Sequence, residues 1–286
     1  MNPIKHLQIL GLGSACLAAF AVTSCTEFEA ENELRNYTNC FTYVYDNQTG
    51  SSHIDTEASY RVLADYSTYT YTIEVNNLGV SDGAALRSGR LTQLYQYYDA
   101  DSTYVYMMQQ SLTTYQSGDL NITNLRWAEI GNYWLTFNTD DDRYTANVVP
   151  RKYNLAADTT YVSTKRGIFV EAAIEPVYHV ALDPTTSTAT ITAVGPKFPI
   201  SSDVTNTLFF TEMEWRNLPV EFTTTGYTID VESFVPYIEG EQKTEYTIKN
   251  FHADIDLTFE GKKVCTYRLG EVGNIKSVFY SWNMAQ

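Results

Sequence analysis

From about residue 41 onward, apolar and polar side chains alternate with a period of two, and no stretch of useful length sustains the 3.6-residue period of a helix. Tyr69-Thr70-Tyr71-Thr72-Ile73-Glu74-Val75, Thr103-Tyr104-Val105-Tyr106-Met107 and Tyr227-Thr228-Ile229-Asp230-Val231 are typical. The 23 tyrosines and the abundant threonines suit the half-buried surface of a pleated sheet. Proline and glycine fall mostly between these runs. Many short strands separated by turn clusters predict an all-β chain built as an up-and-down barrel or a sandwich.

The pattern repeats. Tyr60-Arg-Val-Leu-Ala-Asp65-Tyr-Ser-Thr68-Tyr-Thr70-Tyr-Thr72-Ile73 aligns with Tyr178-His-Val-Ala-Leu-Asp183-Pro-Thr-Thr186-Ser-Thr188-Ala-Thr190-Ile191 at an offset of 118, with seven of fourteen positions identical. Each copy reads as strand, turn, strand. Asp65 and Asp183 open the turns, where an Asp side chain accepts backbone N–H bonds. A second pair follows at an offset of 126, Asn121-Ile-Thr-Asn-Leu125 with Thr247-Ile-Lys-Asn-Phe251. Two pairs in the same order predict two tandem antiparallel β-domains, over residues 39–158 and 159–286. Strands are expected near 41–46, 59–64, 69–75, 91–98, 103–109, 120–126, 133–138 and 144–149 in the first domain. In the second they are expected near 168–174, 177–182, 188–193, 207–213, 227–234, 245–250, 253–259, 263–268 and 277–282. The polar stretch Pro150–Arg166 is the expected junction.

The N-terminus follows different rules. Residues 1–24 begin with a short basic segment, Lys5 and His6, and continue as an apolar run from Leu7 to Val22, which reads as a secretory signal peptide. The run is too short and glycine-rich for a membrane span, which needs roughly 20 apolar residues. Val22-Thr23-Ser24-Cys25 resembles the lipobox of bacterial lipoproteins. That resemblance implies a lipid on Cys25, the first residue of the mature chain, and stable anchoring, since several acyl chains hold where one does not. Residues 25–38 then form a tether in which Glu27, Glu29, Glu31 and Glu33 keep the chain extended and resemble surface-export signals.

Lipobox, acidic tether and β-repeats together resemble the cell-envelope lipoproteins of Bacteroidota, some of which carry lipocalin-like (calycin-like) domains. The resemblance implies an outer-membrane or cell-surface location. It does not extend to a lipocalin Gly-x-Trp near the first strand. Asp101-Ser102-Thr103 and Asp158-Thr159-Thr160 resemble the O-glycosylation motif of that phylum.

Net charge is −15, and −16 without residues 1–24, which argues against nucleic acid and anionic headgroups as partners. Cys40 and Cys265 are either two buried free thiols or a candidate disulfide across a very long loop. No Cys/His cluster suggests a metal, and no Gly-x-Ser-x-Gly elbow, His-Glu-x-x-His helix or phosphate loop occurs, so neither catalytic residue nor cofactor is expected. Asp140-Asp141-Asp142 reads as a solvated hairpin tip rather than a Ca²⁺ loop. Asp254 with Asp256, and Glu212 with Glu214, share strand faces as solvent-facing acids rather than as a glycosidase pair.

Aromatic residues carry the binding expectation. Tyr95, Tyr97, Tyr104, Tyr106, Trp127 and Trp215 are candidate platforms for sugar or peptide, although cross-strand core pairs explain most such residues. The chain is therefore expected to be a lipid-anchored, non-catalytic envelope binding protein for a glycan, a small apolar ligand or another protein. The alternatives are a structural adhesin or pilin-like subunit, for which Arg35 is placed as a maturation site, and a secreted glycan hydrolase.

Overall fold

The computed structural model describes residues 33–98, 105–107, 117–118, 120–128, 134–163, 167–172, 174–199, 207–257, 261–270 and 273–280. Apart from one turn of 3₁₀ helix at Thr244–Tyr246, its regular elements are strands.

In the first half these are β1 (Glu33–Tyr37), β2 (Cys40–Asp46), β3 (Ser52–Asp55), β4 (Ser59–Asp65), β5 (Thr70–Leu78), β6 (Arg87–Tyr98), β7 (Val105–Met107), β8 (Ser117–Gly118), β9 (Ile122–Ala128), β10 (Trp134–Thr139) and β11 (Tyr144–Pro150). They form one antiparallel sheet in the order β1-β4-β5-β6-β7-β9-β10-β11-β2-β3, with β8 beside β6. The sheet folds over on itself, because alternate residues of β4 and β5, such as Tyr60, Val62, Ile73 and Val75, share one core with Ile122, Leu135, Phe137 and Ala146 from the other end of the meander. The Thr42 and Tyr60 hydroxyls, 2.5 Å apart and buried, tie β2 to β4 across that core.

The second half holds β12 (Lys152–Ala156), β13 (Thr159–Ser163), β14 (Phe169–Glu171), β15 (Val177–Asp183), β16 (Thr188–Val194), β17 (Lys197–Pro199), β18 (Thr207–Phe209), β19 (Glu212–Pro219), β20 (Glu221–Phe222), β21 (Gly226–Phe234), β22 (Tyr237–Ile238), β23 (Glu241–Gln242), β24 (Ile248–Asp256), β25 (Lys262–Leu269) and β26 (Gly273–Tyr280). One sheet runs β12-β15-β16-β19-β22-β23 and another β14-β13-β26-β25-β24-β21-β20. The inner faces of both sheets meet in a single core.

Of the two expected architectures, the structure is the sandwich. Among the described residues no sheet closes into a barrel. The physical reason lies in two short breaks. β1 pairs with β4 while β2 pairs with β11, so the ladder is interrupted at Thr38-Asn39. β12 pairs with β15 while β13 pairs with β26, and the interruption recurs at Ala157-Asp158. The stretch 150–166, read from sequence as a junction, thus carries two strands. The chain passes from the first set of sheets to the second at Arg151, whose backbone N–H donates to Asn39 and whose Nε donates to the Cys40 carbonyl.

The two hairpins aligned in sequence have the same geometry. In β4–β5, Tyr60 faces Val75 and Asp65 faces Thr70; in β15–β16, Tyr178 faces Ala193 and Asp183 faces Thr188. Asp65 accepts from the Ser67 N–H and Asp183 from the Thr185 N–H, and the turns end in left-handed residues, Tyr69 (φ 55°) and Ser187 (φ 52°). The second sequence pair coincides with a second shared device. Asn124 (φ 51°) and Asn250 (φ 49°) each sit where the register slips, opposite Phe137 and Tyr267 respectively, and Asn tolerates the left-handed region better than most residues.

The halves touch through aromatic packing. Phe41 meets Phe222 edge-on at 5.2 Å, Tyr43 lies 6.1 Å from the same ring, and the Asn147 amide donates to the Thr224 carbonyl at 2.7 Å. The outer face of β2 is therefore buried by the β20–β21 turn.

Candidate functional site

An apolar pocket with a volume of about 250 Å³ opens beside β13 and β14 in the second half. β13 and β14 supply Val162, Val170, Glu171 and Ala172, while the β17–β18 hairpin supplies Lys197, Pro199 and Thr207. Val162 and Val170 face each other across β13–β14 and turn the same way, because side chains alternate along a strand. Mostly apolar walls follow from that alternation. Apolar side chains on the same segments are also exposed: Ile168 at 57%, Phe169 at 58% and Phe209 at 52%. Exposed apolar side chains on the segments that supply an apolar pocket are the kind of surface that contacts a ligand or partner.

The Ala172 N–H donates to the Thr160 carbonyl. Across the hairpin, the Phe210 N–H donates to the Pro196 carbonyl, so by antiparallel alternation the backbone groups of Lys197 point away from β18. Lys197 is half-buried and has no ion-pair partner among the described residues.

None of the aromatic residues expected as ligand platforms is among the described residues that line this pocket. Tyr95 stands 63% exposed on β6, opposite Thr70. Tyr97 and Tyr106 are register partners in β6–β7, and Trp127 faces Leu135 in β9–β10. Tyr104 and Cys25 lie outside the described residues. Trp215 is not a surface platform. It is fully buried on β19 between Phe251 at 5.3 Å and Tyr267 at 4.9 Å, because its strand position faces inward. Among the described residues its Nε1 has no hydrogen-bond partner, and Trp215 lines a small space of about 20 Å³. The candidate disulfide is also absent. Cys40 and Cys265 are free and buried in different cores, and burial pushes the Cys40 thiol up to about 11.

Several of the titratable groups weighed from sequence have local partners. His53 pairs with Asp82 at 2.8 Å, His252 with Asp230 at 2.7 Å, and His179 with the Asn154 side chain at 2.5 Å. Asp140, Asp141 and Asp142 all have positive φ at the β10–β11 turn, as a hairpin tip requires. There Arg87 engages Asp140, while Thr123, Asn124 and Asn138 donate to Asp142, and the bonds from Thr123 and Asn138 hold its carboxyl below the ordinary range. Glu214 is taken by Arg216, whose Nε donates to it at 2.7 Å. Among the described residues no group of three or more His, Cys, Asp or Glu side chains is arranged to hold a metal.

No protein-family model, curated protein or solved structure matches the chain.

The pocket was not legible from composition, because its residues are ordinary valine, alanine and lysine. One signal was present. Thr42-Tyr43-Val44 recurs as Thr160-Tyr161-Val162 at the offset of 118, and it places β3 and β14 in corresponding positions.

Proposed function

We propose that the chain is a non-catalytic binding protein of the bacterial cell envelope, tethered by lipid at Cys25, and that its binding site is the pocket between β14 and the β17–β18 hairpin. The observation that carries this reading is an apolar pocket of about 250 Å³ bordered by segments that expose Ile168, Phe169 and Phe209. The lipobox at Val22–Cys25 and the glutamates after it support an outer-membrane location with the body held off the lipid. The matching strand orders and registers support two copies of one β-unit, with this pocket in the second.

Thermal-shift screening against glycans, lipids and short peptides tests the reading, with Val170→Trp as the blocked control. A ligand at a hundred times its dissociation constant stabilises by about 2.7 kcal/mol. A shift seen in the native chain and lost in Val170→Trp supports the site; a shift that survives the substitution removes it.

One observation favours a structural-subunit reading as second choice. Arg35 lies within β1, which among the described residues pairs only with β4, so cleavage after it frees the β4 edge over Val62–Ala64 for a strand from another chain. Heat-sensitive ladders on gels of isolated envelopes test that alternative.

A further inference from the structure

The first half has a counterpart of this pocket, and it is closed. β2 and β13 correspond through Thr42-Tyr43-Val44 and Thr160-Tyr161-Val162. Thr42 faces Asp55 on β3, and Val44 faces His53. Thr160 lies opposite Ala172, and Val162 faces Val170 on β14. The positions of His53 and Asp55 are therefore those of Val170 and Ala172.

The facing segment corresponds as well. β5 and β16 share one register, and each ends in a left-handed residue, Asn77 (φ 58°) and Gly195 (φ 74°). Two residues further on stand Gly79 and Lys197, followed by Val80 and Phe198, both buried as plugs.

In the first half this junction is sealed by a carboxylate. Asp55 is buried, and its Oδ2 accepts the Gly79 N–H. Its Oδ1 accepts the N–H groups of Glu57 at 2.7 Å and Ala58 at 3.2 Å. His53 adds its ion pair with Asp82 on the rim. In the second half Ala172 has no carboxylate and Val170 no imidazole, and the pocket occupies the space. The acceptor is lost but the donor side is strengthened. The Lys197 backbone N–H points away from β18, as its pairing requires, and the Lys197 side chain lines the pocket.

From this we infer that the pocket takes a carboxylate borne on an apolar body, the ligand's carboxylate standing where Asp55 stands in the first half. The inference rests on the pocket being the binding site and names its ligand class. The Lys197 N–H and ammonium receive the carboxylate, and charge-assisted bonds of this kind are about twice as strong as neutral ones. Val162, Val170 and Pro199 surround the body. A dry cavity of about 150 Å³ accepts benzene, so about 250 Å³ accommodates a body of roughly ten carbons. Glu171 also lines the pocket, but it alternates with Val170 and Ala172, and its side chain belongs to the outer face of β14.

The test uses the full chain with Cys25→Ser, which leaves no thiol for lipid, and three probes of one length: sodium octanoate, 1-octanol and octylamine. Calorimetric titration is expected to rank octanoate at least about tenfold tighter than the other two. Lys197→Gln is expected to reduce octanoate to the octanol level. Ala172→Asp is expected to abolish octanoate binding while the chain stays folded, because the new carboxylate fills the anion position from within. Octanol binding as tightly as octanoate, or Lys197→Gln leaving octanoate unchanged, overturns the carboxylate assignment and leaves the pocket standing. No binding by any probe, with Val170→Trp indistinguishable from the native chain against the wider panel, overturns both.

Discussion

Lys263 is fully buried on the inner face of β25, in the row that continues with Cys265, Tyr267 and Leu269. Its Nζ donates to the Gly261 carbonyl at 3.1 Å. Burial pushes the ammonium down to about 8, with Asp256 opposing part of the effect. Because the folded value lies below the unfolded one, the group destabilises the fold at low pH. The cost is complete below about pH 8, fades as pH rises towards about 10.4, and vanishes once the unfolded chain also loses its proton. A shift of that size corresponds to about 3 kcal/mol. Lys263→Met keeps the length of the side chain and removes the charge, but it gives up one hydrogen bond worth about 1 kcal/mol. The variant should therefore be more stable than the native chain by about 2 kcal/mol near pH 7, and the gap should close or reverse by about pH 10.5. Denaturant unfolding of both proteins at the two pH values measures it, and groups that titrate in both cancel in the difference. A variant no more stable near neutrality, or a gap of equal size at both pH values, refutes the reasoning.

Four further outcomes are expected. Trp215→Ala should cost about 3–5 kcal/mol by denaturant unfolding, whereas Trp215→Phe should cost less than about 1.5 kcal/mol because the indole N–H has no partner to lose. Phe222→Ala removes the ring shared by Phe41 and Tyr43, and calorimetry should show the single unfolding transition broaden or split as about 2 kcal/mol of packing between the halves is lost. Asn250→Val should cost about 1–2 kcal/mol and Asn250→Gly almost nothing, since a β-branched residue fits φ 49° poorly. Cys40 and Cys265 should both resist alkylation at neutral pH in the folded chain and both react after unfolding without reductant, as two free thiols held protonated by burial require.

The period-2 alternation was enough to read the strands because each sheet buries one face. β4 and β15 share the same buried-exposed alternation over their first six residues, set by Tyr, Val and a small or branched residue at alternate positions. Strands without that contrast were illegible. β13 places Thr160 and Ser163 inside, so polar side chains occupy buried positions and the stretch reads as linker. β1 and β12 are short flanking strands whose pairing is supplied by β4 and β15, which no local pattern reports. Trp215 shows the converse. An aromatic residue in a strand signals burial and binding equally well, and only the packing around it decides.

The closed and open junctions differ by side chains that form no chemical motif. Asp55 in the first half ties together three backbone N–H groups and so contributes to the fold. At the corresponding position Ala172 has no carboxylate to make such ties, and a pocket lined by Lys197 lies there. A pocket that differs from its counterpart by two shorter side chains carries no sequence motif of its own. It becomes visible only when a second, unshortened copy lies in the same chain to show what the space would otherwise contain. The functional information in this sequence therefore resides less in either half than in the difference between them. Substitutions that make the second junction resemble the first, Ala172→Asp above all, should trade binding for stability in a way that no substitution of an isolated surface tyrosine would.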